Sequence, residues 1–349
     1  MRYISLLILL LCLSCGESRK KGNSTILFEL EPAAATSSGQ DQTKLFDEVI
    51  AVYKERLEKY GYAEEDFTIK NNGRTISVTL RHTDTASTDM RRIPRLLQYQ
   101  GKVEFWETYD VTEIFNNLNK VNESLRDTTA ISADTSGTQP LATEIAEGKR
   151  SEELEQLKKN PLFARLQPPL TTYERGSMQQ LHPGPVMGYT EEKHIHFLDS
   201  LFAAENVRSL LPYDLKPTWL MKKDDRNRII FELIALKASS GGKGALSDIQ
   251  VEHAEAVKSE YGAQMEVSIE MNTVSAENWK RLTKKNTGKA IAIVLNGRVT
   301  SYPTVQGEIS GGKSVISGNF TKEEAEEIAG MLKTKPLPVE MRIVSRKVE

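Results

Sequence analysis

Hydrophobic positions along the chain fall into two periods, and their order predicts the fold. Ile26, Phe28 and Leu30 alternate with polar residues, the period of a half-buried strand. Phe46, Ile50, Tyr53, Leu57 and Tyr60 recur at spacings of four and three, which places them on one face of an amphipathic helix that Gly61 ends. Phe67 and Ile69, then Ile76, Val78 and Leu80, alternate on either side of Asn72-Gly73, a dipeptide that accepts the positive φ angles of a tight hairpin. A second helix follows over Met90 to Gln98, with Ile93, Leu96 and Leu97 on its apolar face, and Val103 and Phe105 open another strand. This βαββαβ order predicts a ferredoxin-like unit over residues 24–110.

Residues 262–349 repeat the order. Val267, Ile269 and Met271 alternate as a strand, and Ser275 is placed to cap a helix through Trp279 and Leu282. Ala290 to Leu295 reads as a buried strand that turns at Asn296-Gly297 into Val299 to Val305. Thr321 and Glu324 form a capping box for a helix with Ala325, Ile328, Ala329 and Leu332 on one face, and Val339, Met341 and Ile343 form a last strand. The predicted class is α+β, with two ferredoxin-like units around a partly helical middle region, residues 111–261. In that region Thr112 to Arg126, Ser151 to Lys159 and Glu191 to Leu210 read as helices and Ile229 to Lys237 as a strand. Asp127 to Pro140 reads as a Ser/Thr/Asp-rich linker.

The N-terminus changes the picture of where the protein works. Ile4 to Leu13 is too short an apolar run to cross a bilayer, which takes about 20 residues, but it suits a signal peptide over residues 1–14. Ser14-Cys15 at its end has the small-residue-then-cysteine form of a lipidation site. Cys15 is therefore expected to carry the lipid that anchors the protein to a membrane of the cell envelope, facing the periplasm, with residues 15–23 as a polar tether. With Cys12 removed and Cys15 acylated no thiol remains, which excludes disulfides, thiolate catalysis and cysteine-bound zinc. No later stretch has transmembrane length. A formal charge of −2 with interspersed acids and bases excludes a nucleic-acid-binding field.

One motif requires a decision. Gly307 to Ser314 satisfies the phosphate-loop expression G-x-x-x-x-G-K-[ST], but that loop works only where it opens a helix whose N-terminus receives phosphate. Here Val315 to Asn319 reads as extended and bounded by glycine, so a loop between strands is predicted instead. His194 and His196 lie two apart in a helical pattern, where they point in different directions and cannot share a metal. No spacing of Ser, His, Lys or carboxylates supports a triad or an acid–base pair. The expectation is a non-enzymatic protein without cofactor or metal.

These same residues resemble a family. Gly288 to Gly297, Ser301-Tyr302-Pro303-Thr304-Val305, Glu308-Ile309-Ser310-Gly311-Gly312 and Ile316 to Thr321 resemble the signature that closes the first periplasmic (P1) domain of the SecD/SecDF protein-export family. Arg56, Arg74 to Leu80, Val103 to Tyr109, Asn160-Pro161-Leu162-Phe163 and Leu210-Leu211-Pro212 are similar to further parts of it, in the Bacteroidetes style. The resemblance implies a base (24–110) and a head (262–349). Its expected partners are unfolded or emerging polypeptide and Sec translocon components. The family's flanking membrane helices and their proton relay have no counterpart here, which implies a tethered accessory in Sec-dependent export. A mobile contact element is expected at Gly307, Gly311, Gly312, Lys313, Gly318 and Asn319. The contrasting expectation is an envelope binding or structural lipoprotein with no export role.

Overall fold

Strand β1 (Ser24–Pro32) shows the predicted alternation, burying Ile26, Phe28 and Leu30 against helix α1 (Gln40–Lys59). We describe the protein from a computed structural model that covers residues 22–33, 40–83, 89–127, 159–172, 179–223, 228–247, 249–260, 262 and 264–349. Cys15, the signal peptide and the expected helix over Ser151 to Lys159, save its last residue, lie outside the described residues, as do the linker beyond Asp127 and most of the tether.

The chain forms two units, one from the described part of Met1–Gln100 together with Thr334–Glu349, the other from Gly101–Lys333. In the first, α1 buries Phe46, Val49, Tyr53 and Leu57. Strands β2 (Phe67–Asn71) and β3 (Ile76–Thr83) pair around the Asn72-Gly73 turn, where Gly73 has φ +85°. Helix α2 (Asp89–Gln98) contributes Ile93 and Leu97 to the same core.

The strand that completes this sheet is not the predicted one. β4 (Val103–Thr108) leaves for the second unit, and the sheet is closed by β15 (Met341–Val348), giving the order β15-β1-β3-β2. With β15 as the fourth strand this is the 4-1-3-2 arrangement of a ferredoxin-like fold, and all of Gly101–Lys333 is inserted before that strand. The exchange has a physical reason. β4 buries Val103, Phe105 and Trp106, so both its faces need cover, whereas an edge strand with one open face suits β15, whose outward residues are exposed.

The second unit is not a second ferredoxin-like fold, and the boundaries predicted at 110/111 and 261/262 cut through its sheets. β12 (Ile291–Leu295) is buried at every position and pairs with β13 (Arg298–Ser301) and β4 in a six-stranded sheet. β7 (Val186–Thr190), β8 (Leu215–Lys223) and β9 (Ile229–Lys237) of the supposed middle insertion complete that sheet. β11 (Met265–Met271), alternating and open on one face, joins β10 (Val251–Lys258) and β14 (Lys313–Phe320) in a three-stranded sheet. The predicted continuous unit is therefore divided between two sheets, β12 and β13 in one and β11 and β14 in the other. A small β5–β6 hairpin (Leu170–Thr172, Gln179–Leu181) stands apart.

Helix α3 (Val111–Asp127) lies where predicted. The predicted helix over Glu191 to Leu210 is broken: a 3-10 turn over Glu192–His194 leads into α4 (Ile195–Ala203), and Ala204 turns extended before α5 (Glu205–Arg208). α6 (Thr273–Lys285) is capped by Asn272, whose side chain accepts from the Ser275 backbone N–H at 2.9 Å, so Ser275 is not the cap. α7 (Lys322–Leu332) has the predicted capping box at Thr321 and Glu324. Among the described residues no helix is long and apolar enough to cross a membrane.

Candidate functional site

The segment from Tyr302 to Lys313 joins β13 to β14 across α6 and holds four of the six predicted contact residues. Its first part is strand-like: Pro303 and Val305 exchange backbone hydrogen bonds with Ile291, Gly288 and Lys289. Its middle is tied to α6, where the Ile309 N–H donates to Thr283 Oγ1 at 3.0 Å and Glu308 lies between Lys280 and Lys284 at 3.7 and 3.6 Å. Such part-exposed ion pairs contribute at most about 1 kcal/mol each, so the backbone bond is the firmer tie.

Gly311 and Gly312 then turn the chain with φ of +84° and +68°, in the left-handed region that glycine alone adopts freely. Gly312 also sits where a Cβ would lie 2.6 Å from the Ala276 Cβ, and its carbonyl accepts from the Met271 N–H at 3.0 Å. Lys313 follows as the first residue of β14, in register with Glu270 of β11. No helix opens here, so the phosphate-loop expression is met in letters and not in geometry. Titrating ATP into the wild type and Lys313→Ala is expected to show no saturable binding in either; a saturable signal lost in Lys313→Ala would contradict the strand placement.

The structure therefore brings together Gly307, Gly311, Gly312 and Lys313, but not Gly318 and Asn319. Those two lie toward the far end of β14, about 17 and 20 Å along the strand from Lys313 at about 3.3 Å per residue. A Cβ on Gly318 would lie 2.6 Å from the Phe320 ring, so this glycine answers a local packing need. The expected mobile element is tied down at each end and in its middle.

Two features escaped sequence reasoning. At the root of the loop, Tyr302 donates from its hydroxyl to Glu232 Oε2 at 2.7 Å, and Lys222 Nζ lies 2.9 Å from that hydroxyl and 3.0 Å from the same carboxylate oxygen. Burial first, and then this hydrogen bond, push the Tyr302 phenol well above its ordinary titration range. A cleft of about 820 Å³ also opens beside the end of β7 and the start of β9, lined by Arg165, Tyr189, Glu191, Lys193, His194 and Arg228 among others. A hydrogen bond from Lys193 holds the Glu191 carboxyl below its usual range. His194 ends the 3-10 turn and His196 lies in the first turn of α4. Among the described residues no group of three or more His, Cys, Asp or Glu is placed to hold a metal ion.

The fold is that of a two-unit α+β protein: a ferredoxin-like unit interrupted by a larger, mixed one. Residues 232–339 match the model of the SecDF P1 head subdomain. The chain is 27% identical to the protein translocase subunit SecD of Rhodothermus marinus over 315 residues, which covers 88% of this chain and 47% of that protein. It is 42% identical to the SecD of Leptotrichia buccalis over 81 residues, 23% of this chain and 20% of that one. A crystal structure of SecDF in a super-membrane-facing form superposes with a TM-score of 0.50 over 95% of this chain and 32% of its own, at 19% identity, a likeness of fold alone. The chain is thus similar to the periplasmic P1 region of the SecD/SecDF family, and it spans about half the length of the Rhodothermus protein and less of the Leptotrichia one.

Proposed function

We propose that the protein is a membrane-tethered, non-enzymatic accessory of Sec-dependent protein export, which binds preprotein or the translocon through its P1-like region. The observation that carries this reading is the length of the match to SecD, which runs through 315 residues and so includes both units and not only the head. The chemistry of the described surface supports it. Beside the Gly307 loop Glu308 pairs with Lys280 and Lys284, in the cleft Glu191 pairs with Lys193, and among the described residues the strands at the sheet edges keep backbone without a strand partner, as suits recognition of extended chain. Gly307, Gly311, Gly312 and Lys313 form the proposed contact element, with Gly318 and Asn319 at its distal end. The tether is a lipid on Cys15, and the protein faces the periplasm.

Photocrosslinking in intact envelopes tests the reading, with the crosslinker placed at exposed Ile309 and Cys15→Ser as the untethered control. Translocon subunits or exported chains in transit are the expected products, diminished in the control. Recovery of neither from either protein would favour an envelope lipoprotein that keeps the fold without an export role.

A further inference from the structure

The six-stranded sheet of the second unit has two ends that meet. β8 pairs only with β9, and β13 only with β12, so each keeps one edge of its backbone without a strand partner among the described residues. Yet Cα atoms of β8 and β13 come within 8 Å of each other, because the twisted sheet curls around an apolar filling that includes Trp106, Leu220, Ile234, Val294 and Val299. Among the described residues no backbone hydrogen bond crosses this seam.

Side chains cross it instead. Lys222 stands on β8, Glu232 on β9, and Tyr302 directly follows β13; the Tyr302 hydroxyl both donates to Glu232 and accepts from Lys222. The Lys222 ammonium also lies 4.6 Å from the centre of the Tyr302 ring. Glu232 is buried, so its charge is tolerated only while these two partners are in place. Next to them the Ser301 hydroxyl is buried without a hydrogen-bond partner, which weakens the closed arrangement at the same spot.

We propose that Lys222, Tyr302 and Glu232 form a latch that holds the curled sheet closed, and that its release is a local opening freeing β8, β13 and the root of the Gly307 loop together. The seam has side-chain ties where a ladder would have backbone bonds, so it opens at lower free energy than the paired strands around it. The opening does not depend on what the loop touches.

Native-state hydrogen exchange on the full chain tests the proposal, comparing wild type with Tyr302→Phe and with Lys222→Met. Each variant is expected to speed exchange of the β8 and β13 amides about ten-fold or more, while β11 and β1 keep wild-type rates. Equal acceleration in every strand would make the cluster an ordinary contributor to global stability and would overturn the latch, as would unchanged rates in β8 and β13. Lys222 is the more exposed partner, so Lys222→Met gives the same discrimination if Tyr302→Phe does not fold.

Discussion

Replacing Arg56 by alanine is expected to cost the first unit about 3–5 kcal/mol, the largest single effect foreseen in it. The guanidinium is 1% exposed, with Nε donating to Thr334 Oγ1 at 3.2 Å and its terminal nitrogens to the carbonyls of Leu96, Tyr99 and Gln100 at 2.9, 2.5 and 2.8 Å. Those carbonyls belong to the end of α2 and the residues after it, where the helix leaves its last C=O groups without intrahelical partners. Thr334 is the residue on which the chain returns to the unit. One side chain thus fastens the exit and the return of the chain to α1. Burial pulls its pKa down to about 10, so it stays charged at neutral pH and these four hydrogen bonds are kept. Alanine would leave the Leu96 and Tyr99 carbonyls without the guanidinium and open a cavity, the Gln100 carbonyl keeping its bond from the Leu337 N–H, while lysine would keep the charge but lose the planar fork. Urea unfolding should place Arg56→Ala well below wild type with Arg56→Lys between them. A loss under about 1 kcal/mol for alanine would mean that water replaces the guanidinium, and the clasp would be of no account.

What the sequence shows and hides follows from the range of the interactions. The order β1-α1-β2-β3-α2 was legible because each element has its own period and the Asn72-Gly73 turn lies between neighbours. The fourth strand was not, because β4 and β15 both extend the same βαββα order; only the burial of β4 on two faces distinguishes them, and that depends on strands far along the chain. β8 and β10 carried little signal. Pro217 interrupts the pattern of one and small residues dilute the other, features tolerated because each is an edge strand. At the site, the extended reading of Val315 to Asn319 sufficed to exclude a phosphate loop, since a strand or a helix after Lys313 is a local matter. The Lys222–Tyr302–Glu232 cluster joins residues 80 and 70 positions apart, and no local period encodes it.

Gly312→Val is expected to destabilise the second unit by about 2–4 kcal/mol and to displace the loop that crosses α6. Two independent demands meet at this residue. Its φ of +68° is costly for any side chain and more so for a β-branched one, about 1–3 kcal/mol. Its missing Cβ is also what lets the loop approach the Ala276 Cβ, which would otherwise stand 2.6 Å away in the first turn of α6. Gly311, with φ +84° and open space around its missing Cβ, separates the two demands, because Gly311→Ala meets only the first. Thermal unfolding should therefore rank wild type above Gly311→Ala and Gly311→Ala above Gly312→Val. The loop reaches β14 through Gly312, whose carbonyl holds the end of β11, so the damage should extend to the three-stranded sheet and show as faster amide exchange at Met271. Equal losses in the two variants would mean that α6 yields to the new side chain, and that backbone conformation alone selects glycine there.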